Sequence, residues 1–291
     1  MYDYLIKNGL VVDGSGKPAV KADVAVKGDK VARIAPDIQE PAAEVYDAAG
    51  KYVIPGLIDP HVHEEWYCFD DGRYESYIRQ GVTTLVNGNC SHSITPGHKK
   101  EVLDYYLGNG LVGLKQYQRY LRDWPDWHDF EGYAQAVEQV GTNCNFVTLL
   151  GHGSIRQYVM HGAYNRAPDE LEQAQIENII RHNMDQGAWG ISFGLDYVPS
   201  RYASDTLCQG CLRNFFALFK LFCTIIQNKP LNLIGHRFLA RFAEMQLDTI
   251  GCLSNPLYHN GLLCTLCGQR GSGRGGGAGV GFVAHRLSFQ R

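Results

Sequence analysis

The chain has no large excess of either charge. Its 27 Lys and Arg stand against 30 Asp and Glu, a net charge of −3. That excludes a polyanion-binding surface spread over the whole molecule, and no nucleic-acid partner is expected. No apolar run is long enough to span a bilayer: the most apolar segment, Leu212 to Gln227, is interrupted by Arg213 and Lys220. No membrane partner is therefore expected. The start, Met1-Tyr2-Asp3-Tyr4, offers neither a basic n-region nor an apolar h-region, which predicts a cytoplasmic protein without disulfides. Cysteine is scarce over the first 207 residues, where only Cys68, Cys90 and Cys144 occur.

The near-neutral total hides a break. Residues 1–207 carry 18 Lys and Arg against 28 Asp and Glu, whereas residues 208–291 carry 9 against 2. The other six cysteines (Cys208, Cys211, Cys223, Cys252, Cys264, Cys267) crowd into that second part. Glycine fills seven of the eleven positions from Gly271 to Gly281.

Over residues 1–52, short β-rich runs alternate with turn signals. Tyr4-Leu5-Ile6, Leu10-Val11-Val12, Val24-Ala25-Val26 and Val31-Ala32-Arg33-Ile34 are separated by Asn8-Gly9, Asp13-Gly14 and Gly28-Asp29, which predicts a small β-domain. From residue 53 strands alternate with helices, the pattern of a parallel α/β sheet. Strands are predicted at Tyr52–Asp59, Val82–Val86, Phe146–Leu150 and Ala188–Phe193, with helices near Tyr74–Gln80, over Phe130–Val140 and from Pro168 to Gly187. Residues 91–129 read as a long connection containing Trp124, Pro125 and Trp127. This makes four β/α units, half a barrel. After Leu207 no such alternation is recognisable.

The chemistry concentrates in Ile54-Pro55-Gly56-Leu57-Ile58-Asp59-Pro60-His61-Val62-His63. Successive side chains of extended backbone point to opposite faces, so His61 and His63 point the same way and can chelate one divalent metal. In parallel-barrel enzymes reactive groups sit at the C-terminal ends of strands. His61 and His63 follow strand one, Cys90 strand two, His152 strand three and Tyr197 strand four. Cys90 is either a thiolate ligand or a buried inert thiol. His152 is either a substrate contact or a hydrogen-bonded histidine at the sheet end. Tyr197 is either a hydrogen-bond donor to substrate or part of the barrel rim. Glu64 and Glu65 read by default as solvated acids.

The run PGLIDPHVH resembles the metal-binding signature of the amidohydrolase superfamily. Thr83-Thr84-Leu85-Val86-Asn87-Gly88-Asn89-Cys90 is similar to the N-acyl-D-amino-acid deacylase (D-aminoacylase) branch, as are Gly151-His152-Gly153 and Gly190-Ile191-Ser192-Phe193-Gly194-Leu195-Asp196-Tyr197. The likeness runs over about residues 3–207. It implies a small β-domain segment (1–52), the first half of a (β/α)8 TIM-type barrel (53–207), and a non-family, irregular or disordered tail (208–291). It implies one or two zinc ions held by His61, His63 and the bridging Cys90, with His152 and Tyr197 as substrate-binding residues. The implied reaction is hydrolysis of the amide of a small-molecule N-acyl amino acid by zinc-activated water. Two further metal-binding histidines and a general-base aspartate would lie beyond residue 207, where none is recognisable, so this chain is expected to be a truncated and inactive hydrolase. The abrupt compositional change suggests a shifted reading frame after 207. The alternative is a genuine Cys-rich tail that binds zinc or a partner, but Cys208-x-x-Cys211 and Cys264-x-x-Cys267 lie 52 residues apart, far beyond the ~15–20 of a zinc ribbon. Among hydrolases, a cyclic-amide hydrolase of dihydroorotase or hydantoinase type is the alternative. Such enzymes use a carboxylated lysine where this chain offers Cys90.

Overall fold

A computed structural model describes residues 1–162, 165–195 and 198–203, together with the backbone of two strands at 221–225 and 264–268. The chain divides into two compact units. One contains Met1–Ile58 and Glu75–Thr83, the other Asp59–Tyr74 and the chain from Thr84 through the last parallel strands.

In the first unit, β1 (Tyr2–Val11), β2 (Val20–Lys27), β3 (Lys30–Ala35), β4 (Ala42–Asp47) and β5 (Lys51–Pro55) form one sheet. β1 pairs antiparallel with β2 and parallel with both β4 and β5. Adjacent residues of β1 face opposite ways, and both faces are covered. Ile6 packs with Val24, Ala48 and Val53, while Leu5 packs with Ala25 and Ile38. Asn8-Gly9 is not the turn the sequence suggests. It is a bulge inside one continuous strand, with the β1–β2 register shifting between Ile6 and Gly9. Asn8 takes a φ of 64°, and its amide donates to the buried carboxylate of Asp23 at 2.8 Å. Asp23 also accepts from the Ile38 amide at 3.0 Å, so one buried acid satisfies two irregular backbone positions.

The predicted strand Tyr52–Asp59 is in fact two strands serving two sheets. β5 belongs to the sheet just described, and β6 (Leu57–Asp59) begins the parallel one. The chain switches at Gly56. Helix α1 (Glu75–Ile78) is followed by β7 (Val82–Asn87). The connection after β7 is more ordered than the sequence shows, because it contains α2 (Lys99–Gly108) and α3 (Leu114–Asp123). These helices enclose an aromatic core in which Trp124, Trp127, Tyr120 and Tyr133 are all buried. Tyr120 stacks on Trp124 at 4.1 Å and Phe69 on Trp127 at 5.2 Å, both at 17°. Each such pair adds of order 0.5–1.5 kcal/mol beyond area burial.

α4 (Phe130–Val140) falls where the apolar period places it, with Asp129 capping through the Gly132 amide. It leads to β8 (Asn145–Gly151), α5 (His152–Met160), α6 (Glu170–Asp185) and β9 (Gly190–Gly194). α6 begins two residues after the expected Pro168, with Asp169 at the cap. Asp169 and Glu172 form a reciprocal capping box, and Ile176, Ile180 and Met184 are buried on one face.

Two strands follow in the part where the sequence shows no alternation. β10 (Leu221–Ile225) pairs parallel with β9, and β11 (Cys264–Gly268) pairs antiparallel with β5. Short apolar runs such as Leu-Phe-Cys-Thr-Ile carry no period that separates strand from helix, so only docking on a neighbour decides them. The parallel order is β10-β9-β8-β7-β6, a half-barrel. Among the described residues no helix is long and apolar enough to cross a membrane.

Candidate metal centre

His61 and His63 lie just beyond β6 rather than in the strand itself. The Asp59 carboxylate accepts from the His61 amide at 3.1 Å. The residue between them, Val62, is 5 % exposed. Its amide donates to the Val86 carbonyl at 3.1 Å, and the Asn89 side-chain amide bridges the carbonyls of Val86 and Val62. With Val62 clamped inward, its neighbours must both face outward, and their rings meet edge to face at 5.3 Å.

Cys90 comes from the turn after β7. The chain passes β8 so closely at Gly88 that a β-carbon there would lie 2.0 Å from the Leu149 carbonyl oxygen, and φ at Gly88 is +75°. Cys90 and Ser91 then adopt φ of 54° and 73°. For non-glycine residues this left-handed conformation is unfavourable by of order 1 kcal/mol each, so the surroundings must hold it. Its consequence is that the Cys90 sulfur reaches 3.1 Å from His61 Nε2.

The ligand atoms of His61, His63 and Cys90 all lie within 4.8 Å of one another, and no other group of three or more such residues converges among the described residues. Two imidazoles and a thiol suit zinc. Zn–N near 2.0–2.1 Å and Zn–S near 2.3 Å place tetrahedral ligand atoms about 3.3–3.6 Å apart, so the trio fits after small side-chain rotation. Burial, and then the neighbouring His61, lower the pKa of His63, which favours the neutral, ligating form. His92 lies 6.3 Å from His63, ring to ring. Burial pushes His92 down to about 4, with His63 adding to the effect.

Glu65 is not a solvated acid. It is 1 % exposed, and Oε1 accepts from the Tyr106 hydroxyl at 2.9 Å. Burial raises its carboxyl to about 7. Glu64 is half-buried, and neither acid joins the converging trio.

His152 opens α5 and is fully enclosed, at 0 % exposed. Nδ1 pairs with the Ser200 hydroxyl at 3.0 Å, and the ring lies 4.7 Å from Phe193. Burial, then the Arg156 charge, push it down to about 3. His152 is thus hydrogen-bonded through Nδ1 at the end of β8, while its Nε2 has no hydrogen-bond partner among the described residues. Tyr197 lies outside the described residues, as does the Gly-rich run. For the tail cysteines no side-chain position is described.

Sequence reading missed three serines, Ser91, Ser192 and Ser200, which interlink behind Cys90. Nothing in local spacing signals residues that meet across more than a hundred positions.

A profile described as the amidohydrolase family matches residues 44–211. The N-acyl-D-glutamate deacylase of Alcaligenes xylosoxydans xylosoxydans is 31% identical over 78% of this chain and 44% of its own length. The crystal structure of the N-acyl-D-glutamate deacylase from Bordetella bronchiseptica, with zinc and a phosphonate inhibitor mimicking the tetrahedral intermediate, superposes with a TM-score of 0.67 at 27% identity. It covers 78% of this chain and 45% of that one. A D-aminoacylase structure with a binuclear metal centre gives 0.68 at 27% identity over 86% and 49%. A match to an allantoinase of Desulfitobacterium hafniense is shorter, 35% identical over 38% of this chain. The chain spans less than half the length of each of these proteins.

Proposed function

Because the chain belongs to the amidohydrolase family, we propose that His61, His63 and Cys90 hold zinc for hydrolysis of a linear amide, that of a small N-acyl-D-amino acid. One observation carries this reading: among the described residues a thiol, Cys90, converges with the two histidines. When bound, zinc at this site supplies Lewis acidity toward the scissile carbonyl. The chain's own residues bind and orient. His61 and His63 supply neutral imidazole nitrogens, Cys90 supplies sulfur, and Tyr197 is assigned to the substrate carbonyl. Similarity to deacylases that act on D-aspartyl and D-glutamyl substrates supports the substrate class.

Titration with cadmium tests the site directly. Thiolate coordination should give an ultraviolet charge-transfer band that saturates with bound metal and vanishes in Cys90→Ala. A chain that binds no metal, or whose band survives C90A, overturns the assignment. Any hydrolysis by the zinc-loaded chain should fall on N-acetyl-D-glutamate or N-acetyl-D-aspartate, and hydrolysis of allantoin instead would favour the cyclic-amide reading.

A further inference from the structure

The turn that carries Cys90 is bracketed by one side chain from a distant strand. Ser192, central in β9, donates its hydroxyl to the Gly88 carbonyl at 2.5 Å and accepts the Ser91 amide at 3.1 Å. Gly88 and Ser91 lie two residues before Cys90 and one after it. We infer that Ser192 is a positioning residue that sets the Cys90 sulfur for metal coordination. The inference rests on the reading of Cys90 as a ligand.

The physical need is plain. Cys90 and Ser91 both sit in left-handed backbone, a conformation that persists only when surrounding contacts over-determine it. Both residues lie outside the strands, in a place where Ser91 and Ser192 are both 0 % exposed, so buried backbone groups here must be satisfied by protein. Ser192 satisfies one group on each side of Cys90 at once. An alanine there leaves an amide and a carbonyl without that partner and frees the turn to relax.

A second layer holds Ser91 from behind. Its hydroxyl accepts the Gly153 amide at 2.7 Å and pairs with Ser200 at 2.5 Å, and Ser200 in turn pairs with His152 Nδ1. Each hydroxyl has an acceptor when Ser91 donates to Ser200 and Ser200 donates to His152, which leaves the histidine proton on Nε2. The Ser91 carbonyl accepts the Ser154 amide at 3.1 Å. β8 and α5 can come this close only because residue 151 is glycine: a β-carbon there would lie 2.5 Å from the Ser91 carbonyl oxygen. His152 is thus linked to the turn through two serines, Ser200 and Ser91.

The test compares Ser192→Ala with Ser192→Thr and the wild type in the full chain, by cadmium titration with near-ultraviolet circular dichroism as the check on folding. In S192A the thiolate band per bound ion should fall and cadmium affinity should weaken by about tenfold or more, while S192T, which keeps the hydroxyl, recovers most of both. A purely structural role would lower thermal stability yet leave the band per bound ion unchanged, and a folded S192A with wild-type band and affinity overturns the inference. A wild-type chain with no band sinks the ligand reading itself, a distinct failure. Should S192A not fold, Ser200→Ala, which removes the outer partner of Ser91, is expected to weaken the band in the same direction. An unchanged band in S200A likewise overturns the inference.

Discussion

The Tyr106 hydroxyl donates to Glu65 Oε1 at 2.9 Å, joining α2 to the segment just after the two histidines across 41 residues of chain. Both side chains are buried. The acid therefore sits where its charged form is poorly solvated, and its carboxyl is raised to about 7 from an ordinary 4.5. The folded state thus holds a proton that the unfolded chain gives up. Stability from this group is complete below pH 4.5 and is lost as pH rises toward 7. Glu65→Gln keeps the acceptor for Tyr106 and removes the charge. It should stabilise the metal-free protein at pH 8 by about 1–3 kcal/mol and change little at pH 4.5. Urea midpoints at the two pH values check this, and an equal effect at both would refute it.

His152 has the opposite sign. Its folded pKa of about 3 lies below the ordinary 6.5, so the unfolded chain takes up a proton that the folded one refuses. Stability is complete above pH 6.5 and is lost as pH falls toward 3. His152→Asn, which keeps an acceptor for Ser200, should flatten the acid limb of the stability profile while lowering stability at pH 7.5. An acid limb as steep as that of the wild type would show that other groups, His92 among them, carry it.

Trp127 is 2 % exposed, stacks on Phe69 and donates its indole N–H to the Ile94 carbonyl at 2.9 Å. Trp127→Ala should destabilise the protein by about 3–5 kcal/mol. Because Ile94 follows Cys90 by four residues, cadmium affinity should weaken as well. A loss below about 1 kcal/mol would mean that the segment between β7 and α4 is not the packed core described above.

Zinc should raise the melting temperature. A ligand bound only by the folded state at a hundred times its Kd contributes about 2.7 kcal/mol, equivalent to several degrees for a chain of this size. A chelator should reverse the rise, and His61→Ala or Cys90→Ala should abolish it. Equal shifts in wild type and C90A would place the metal elsewhere.

Much of the fold could be read from the sequence because it rests on short-range periodicity. Ile176, Ile180 and Met184 recur at helical spacing, and Pro168 with the acids that follow it signals a helix start within two residues of where α6 begins. Val82–Val86 and Phe146–Leu150 read as strands because they are short, apolar and followed by turn signals, and the observed strands extend them by one residue at the end or at each end. Of the site, the pair His61 and His63 was legible for the same reason: two residues of extended backbone put them on one face.

Tertiary structure alone decided the rest. That Tyr52–Asp59 splits at Gly56 between two sheets depends on which neighbours each half meets, and an apolar run looks the same either way. That Asn8-Gly9 is a bulge depends on Asp23, which waits fifteen residues further on. Glu65 reads as solvated until Tyr106 is brought to it. Cys90 by its residue type alone reads as an inert thiol and by family resemblance as a ligand; only the fold sets its sulfur 3.1 Å from His61. That distance is produced by a left-handed turn held by Ser192, 101 residues from the amide it accepts. Sequence determined which chemical groups this protein has and the local periods that shape its elements. Only the packed chain decided which groups meet, because a contact between distant residues leaves no trace in the spacing of either one.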